Sequence, residues 1–256
     1  MKIYAFFPLL FIFSTGTITA ADVASAETNA PPPAFSTLMP GQTLPTQFRV
    51  VTLPKIAVNQ FSLVADDGKT VLRVDSDNSA GSLGLPLTAT AANTHATLEW
   101  RWKVSRALDQ ADMTTKPNDD FAARVYVFFD VPLASLSFVD RSKIRLARLL
   151  AGADVPTAAL CYVWDNRQRL GHTQWSPYTN RVRMIVLQSG AANANKWLAE
   201  SRDVAADFRA AFGVDAPAVT GVAIGNDTDN THERVSTWYS DVTLKTLTTQ
   251  KALDAK

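Results

Sequence analysis

The chain has one cysteine, Cys161, in 256 residues. That excludes an internal disulfide framework and any metal site built from several cysteines. Histidine is nearly as scarce. His95, His172 and His232 are scattered and lack the His-x-x-x-His spacing of a zinc site. Neither sign of charge is in excess: 25 Lys and Arg stand against 24 Asp and Glu, a net charge of +1. A dedicated nucleic-acid binder would carry a basic excess or stripe. No Gly-x-Ser-x-Gly elbow, phosphate loop or dinucleotide fingerprint occurs. The hydrophobic fraction, 46%, is ordinary and excludes bulk disorder. The length suits one large domain or two small ones.

The N-terminus reads as an address. Met1-Lys2 precedes an apolar run from Ile3 to Phe13. A membrane-spanning helix needs about 20 residues. A basic residue, a short apolar core and then small residues describe a secretory signal peptide. Cleavage is expected after Ala26, with Ala20 as the alternative. Removing residues 1–26 takes away Lys2 and Asp22 and leaves the balance at +1. No later segment is long and apolar enough to span a bilayer, so the expectation is a periplasmic or secreted protein with no integral membrane segment after cleavage. Cys161 has no intrachain partner and then reads as a small buried strand residue.

Residues 27–46 are rich in Pro, Thr and Ala and read as a flexible linker. Beyond them the pattern is mostly β. It predicts strands over 48–52, 61–65, 71–75, 81–87, 97–104, 122–130, 160–165, 181–188, 218–225 and 236–244. Without βαβ alternation, so many strands imply an all-β, two-sheet jelly-roll sandwich over 47–248, followed by a tail, 249–256. Two short helices are inserted, over 138–151 and 196–212. The first has apolar residues at 139, 146, 149 and 150; the second carries Trp197, Ala205, Phe208, Ala211 and Phe212 toward the core and stops at Gly213.

Side chains alternate across a strand, so parity sorts each strand into two faces. In 98–104, Leu98, Trp100, Trp102 and Val104 share one face; Glu99, Arg101 and Lys103 take the other. In 121–129, Phe121, Ala123, Val125, Val127 and Phe129 lie opposite Ala122, Arg124, Tyr126 and Phe128. In 181–188, Arg181, Arg183, Ile185 and Leu187 lie opposite Val182, Met184 and Val186. If these strands are neighbours, Arg101, Arg124, Arg183 and Tyr126 line one polar face. Arginine supplies planar donors for carboxylates or vicinal hydroxyls, and tyrosine offers a ring and a hydroxyl. The bland alternative is the solvated face of a half-buried sheet. Trp100 and Trp102 read as core. Trp164 and Tyr178 lie near loops, where exposed aromatics would suit a sugar and a buried Trp would serve packing equally well.

Oxygen-rich clusters stand at Asp119-Asp120, Asp227-Thr228-Asp229 and Asp75-Ser76-Asp77. Each could hold a hard cation or form a turn, and none completes an EF-hand. No cofactor is expected, with a structural calcium as the one exception these loops allow. As catalytic parts, Asp119/Asp120 or Asp227/Asp229 could supply the two carboxyls of glycoside hydrolysis.

Several motifs occur together and in order: Leu98-Glu99-Trp100-Arg101-Trp102-Lys103-Val104, Asn118-Asp119-Asp120-Phe121-Ala122-Ala123-Arg124, Tyr162-Val163-Trp164, Glu200-Ser201-Arg202-Asp203 and Asp227-Thr228-Asp229-Asn230-Thr231. With them the chain resembles, over about residues 45–247, an uncharacterised family of exported bacterial proteins catalogued as domain of unknown function 3047. The resemblance implies a bacterial envelope protein and supplies no activity. At fold level, Leu98–Val104 and Trp238-Tyr239-Ser240-Asp241-Val242 are similar to strands of galactose-binding-like jelly rolls. That likeness implies carbohydrate binding and makes Asp241 a calcium candidate.

The expectation is therefore an exported carbohydrate-binding-like protein. Its ligand would be an acidic glycan on Arg101, Arg124, Tyr126 and Arg183, with Asp119, Asp120, Trp164 and Tyr178 at the rim. Asp227, Asp229 and Asp241 are the metal candidates. The alternatives are a polysaccharide hydrolase or lyase and a non-catalytic periplasmic assembly partner.

Overall fold

The computed structural model describes residues 32–90, 96–151 and 155–246. The expected signal peptide, the tail 249–256 and His95 lie outside the described residues. In chain order the strands are β1 (Arg49–Val51), β2 (Ala57–Val58), β3 (Gln60–Asp66), β4 (Lys69–Asp77), β5 (Ser79–Thr90), β6 (Ala96–Val104), β7 (Phe121–Phe129), β8 (Ala158–Asp165), β9 (Thr173–Ser176), β10 (Thr179–Ser189), β11 (Leu198–Asp203), β12 (Val219–Asp227), β13 (Arg234–Tyr239) and β14 (Thr243–Thr246). The helices are α1 (Phe138–Ala151) and α2 (Val204–Phe212).

These strands form a two-sheet sandwich of jelly-roll type. The larger sheet runs β1-β5-β12-β7-β8-β10-β9, with β2 also on β5. The smaller runs β11-β6-β13-β4-β3, with β14 also on β6. The local chemistry accounts for this. β6 alternates buried and half-buried residues along its whole length, as a strand with one face in a core must. Asp67 and Gly68 both have positive φ, 52° and 72°, and close the two-residue turn from β3 to β4.

Between the sheets lies the main core. Trp100, Trp102, Tyr162 and Trp164 meet there, with Trp100–Trp102 centroids 5.5 Å apart and Trp102–Trp164 centroids 6.0 Å apart. The larger sheet is buried on its other face as well. There Met113, from the loop before β7, packs with Tyr126, Cys161 and Met184 in a second cluster. That cover explains why β7 and β8 are buried at almost every position.

Four expectations change. The helix expected over 196–212 is strand β11 followed by α2. Asp203 divides them by accepting hydrogen bonds from the Ala205 and Ala206 N–H groups as an N-cap. The strand expected over 236–244 is two strands, β13 and β14. Part of the expected linker is docked: Phe35 is buried against Phe48, and Ser36 donates to Asp241. In α1, Val139 is exposed and Ile144 is buried, so the helix is turned away from its expected stripe at that end.

Candidate functional site

A β-bulge builds the site. Gly225 of β12 pairs with Arg124 of β7, and Asp227 pairs with Phe121, so β7 carries one extra residue there. The extra residue reverses parity. Phe121, expected opposite Arg124, joins Tyr126 in the second cluster on the outer side of the larger sheet. Parity holds from Ala123 to Phe129. The bulge also frees backbone groups, and Tyr239 of the smaller sheet satisfies them: its hydroxyl accepts from the Arg124 N–H at 3.0 Å and donates to the Gly225 carbonyl at 2.6 Å.

Arg124 is thereby held at the end of the sheet beside the acidic loops. Its Nη1 lies 2.6 Å from Asp227 Oδ2, and both side chains are buried. Asp227 Oδ1 accepts the Phe121 N–H at 3.0 Å. Asp120 is fully buried and anchors the loop after β12: its carboxylate accepts the Asn230 and Thr231 N–H groups, the Asn230 amide and the Thr231 hydroxyl. One oxygen from each of Asp120, Asp227 and Asp229 lies within 4.8 Å of the others. That spacing would suit a hard cation. The donors on Asp120 and the Arg124 guanidinium on Asp227 would compete with a cation for those carboxylates.

Asp119 differs from its neighbours. It is buried, and its Oδ1 has no hydrogen-bond partner among the described residues. Burial pushes its carboxyl up to about 7. Arg124 opposes that rise, and the Asp120, Asp229 and Asp165 carboxylates add to it. Arg124 Nε is likewise buried with no partner among the described residues. Burial works against the Arg124 charge, but Asp227, Tyr126, Cys161 and Asp119 together outweigh it and the pKa rises, so the guanidinium stays cationic. Burial raises the Asp227 and Asp229 carboxyls too, while Arg124 opposes both shifts. Tyr178 is part-buried, donates to the Lys116 carbonyl at 2.9 Å, and is pushed up to about 12 by burial and then by Asp119 and Asp229. Tyr126 lies under the Arg124 guanidinium, 5.4 Å from ring centroid to Cζ.

The structure thus brings together Arg124, Tyr126, Asp119, Asp120, Asp227, Asp229 and Tyr178. It does not bring the three arginines onto one face, because β6 belongs to the other sheet and β10 is separated from β7 by β8. Arg101 lies on the smaller sheet, paired with Asp67 and 5.0 Å over Trp197. Arg183 lies on the opposite face of the larger sheet from Arg124, donating to Thr173 and stacked on Trp175. Trp164 is wholly buried in the main core, its indole donating to the Gly190 carbonyl, and is closed to a ligand. Asp241 accepts from Ser36 and lines a small cavity with Arg101, apart from Asp227 and Asp229. Asp165 joins the acidic group unforeseen. Its spacing from Asp119 carries no signal; only the pairing of β7 with β8 brings the end of one strand to the start of the other.

A family model described as "Protein of unknown function (DUF3047)" matches residues 46–243. The chain belongs to the DUF3047 family. The resemblance read from the motifs is therefore a membership. No curated protein matches this family member. Among solved structures it is similar to "Cellulose induced protein, Cip1", with 12% identity, a TM-score of 0.37, and 79% of this chain and 92% of that one covered. It is similar to the xyloglucanase domain of NopAA, a type three effector from Sinorhizobium fredii, in complex with cellobiose, with 8% identity, a TM-score of 0.44, and 79% and 94% covered. It is also similar to the family 11 xylanase from Neocallimastix patriciarum, with 10% identity, a TM-score of 0.35, and 77% and 89% covered.

Proposed function

We propose that this protein binds a neutral, hydroxyl-rich ligand of the carbohydrate class at the Asp119–Arg124 end of the larger sheet. One observation carries the reading. A buried acceptor, Asp119 Oδ1, and a buried donor, Arg124 Nε, both lack partners among the described residues. Buried polar groups left unmet cost roughly 1–3 kcal/mol each, so each of the two calls for a polar partner, an ordered water or a ligand hydroxyl. A sugar hydroxyl both donates and accepts, and answers either group. The Tyr178 ring, which carries the Lys116 ammonium 5.4 Å over one face, leaves its other face as an apolar surface for a sugar.

The charge census sets the ligand's sign. Asp119, Asp120, Asp227 and Asp229 stand near one guanidinium, which is already paired with Asp227, so no free cation is left there for an acidic glycan. An acidic glycan depended on Arg101 and Arg183 joining Arg124, and they lie elsewhere. The apolar N-terminal run followed by small residues supports export to the periplasm or beyond. Among the described residues no helix is long and apolar enough to cross a membrane.

The test is affinity electrophoresis through neutral and acidic soluble polysaccharides. Wild type should be retarded by a neutral polymer, and Asp119→Asn should bind at least about tenfold more weakly with its fold intact. No retardation by any polymer, or unchanged binding in the variant, ends this reading. Arg124→Ala is a poor probe, since it strands Asp227 and costs the fold.

The Asp119 carboxyl near pH 7 favours one second reading, a hydrolase or lyase. A general acid or base works best with a pKa near the working pH. Asp120 and Asp227 are committed as hydrogen-bond acceptors, so Asp119 would act with Asp229. That reading predicts new reducing ends or unsaturated products from a polysaccharide, lost in Asp119→Asn; absence of product across neutral and acidic substrates removes it.

A further inference from the structure

A separate cleft opens at the edge of the sandwich, between β10 of the larger sheet and β11 and α2. Its volume is about 330 Å³. Small-molecule sites run from about 300 to 1,000 Å³, so it can hold a small ligand. Its floor is apolar, made by Ile185, Leu187 and Ala211. Leu170, largely exposed, also lines it.

The charges in this cleft do not cancel. Asp207 is fully engaged: Arg202 donates to it twice, at 2.6 and 2.9 Å, and the Tyr162 hydroxyl donates at 2.7 Å. Arg183 has no acidic partner among the described residues. It donates from Nη2 to the Thr173 hydroxyl at 2.6 Å and is held 5.0 Å over the Trp175 ring, which packs in turn on Phe212. Its fork is therefore oriented in advance, with Nε and Nη1 left over for a ligand. A pre-organised guanidinium binds a carboxylate through paired, charge-assisted hydrogen bonds.

We infer that this cleft is a second binding site, for a small amphipathic carboxylate. The anionic group pairs with Arg183, and the apolar body lies on Ile185, Leu187 and Ala211. A ligand of this class differs from the neutral glycan proposed at Asp119, and the two sites share no residue.

The test is calorimetric titration of the full-length protein with 4-phenylbutyrate as the probe. The neutral 4-phenylbutanol and the hydroxylated anion glucuronate serve as comparisons. Wild type should bind 4-phenylbutyrate saturably, with both comparison compounds at least about tenfold weaker. Loss of a charge-assisted pair corresponds to a factor of that order, so Arg183→Gln should weaken 4-phenylbutyrate by about tenfold or more. Ala211→Trp, which fills the floor and leaves Arg183 in place, should abolish binding, and thermal melts of both variants establish that they are folded. Equal binding of 4-phenylbutanol, tighter binding of glucuronate, unchanged affinity in either folded variant, or no binding at millimolar probe would overturn the inference.

Discussion

Arg124 and Asp227 form an ion pair, Nη1 to Oδ2 at 2.6 Å, with both side chains almost wholly out of water. Two buried charges tolerate each other only as a pair; removing one leaves the other uncompensated, at a cost of about 3–5 kcal/mol. Asp227→Ala should therefore lose stability of that order in urea denaturation. Replacing both partners by apolar residues of similar size should recover much of it. If Asp227→Ala melts like wild type, the pair is solvated in solution.

The Asp119 carboxyl gives a pH signature of known sign. Its folded pKa is about 7, raised chiefly by burial above the ordinary 3.8. Between those values the folded state keeps a proton that the unfolded state has released. Stability then falls as pH rises from about 4 through 7 and levels off above, by linkage. Asp119→Asn lacks this term. The wild-type and variant melting temperatures should lie closest near pH 4, and wild type should fall behind by several degrees at pH 8. A difference independent of pH would show that Asp119 titrates normally.

Cys161 faces the same cluster, buried against Tyr126 and Met184. Burial pushes its thiol up to about 12, and Arg124 only partly opposes this. Reactivity belongs to the thiolate, so the native protein should be inert to a thiol reagent at pH 8. Labelling should proceed at the rate of unfolding and become fast in denaturant. Rapid labelling of the native state would mean that this face of the larger sheet is open.

Most of the sandwich was legible in the sequence because alternation and turn residues are local signals. The pairs Trp100/Trp102 and Glu99/Arg101 fall on the faces that parity gives them. Parity failed where pairing intervened. At Phe121 a bulge, visible only in the register of β7 against β12, reverses the face. At 198–203 a helix extended back from the 205–212 stripe to Trp197 conceals a strand, because β11 gains its hydrogen bonds from β6 rather than from itself. The supposed arginine face failed for a third reason: parity assigns a side of a strand but not which strands are neighbours. The acidic end was half legible. Asp119, Asp120, Asp227 and Asp229 are conspicuous in sequence, but the division between committed acceptors and the unmet Asp119 depends on Asn230, Thr231 and Phe121 arriving from elsewhere.

Gly225 is the residue on which that end depends most directly. A Cβ there would lie 2.3 Å from the Gly81 carbonyl oxygen and 3.0 Å from Ser82 Cα. Both are backbone atoms of β5, so no side chain can rotate out of the way and the strands must separate. The Gly81 carbonyl also accepts the Asn59 amide, and the Gly225 carbonyl accepts the Tyr239 hydroxyl that secures Arg124. Gly225→Ala should therefore cost about 3 kcal/mol, at the upper end for overpacking. Gly84→Ala, on β5 but facing β1, is the control: its Cβ would meet the Arg49 carbonyl oxygen at 3.3 Å, which a small shift relieves, and it should cost under about 1 kcal/mol. Urea denaturation of the two variants measures the difference. Displacing β12 also moves Tyr239's acceptor, so Gly225→Ala should shift the pH signature of Asp119 while Gly84→Ala leaves it in place. Equal stabilities for the two variants would mean that β5 and β12 sit further apart than this close approach requires.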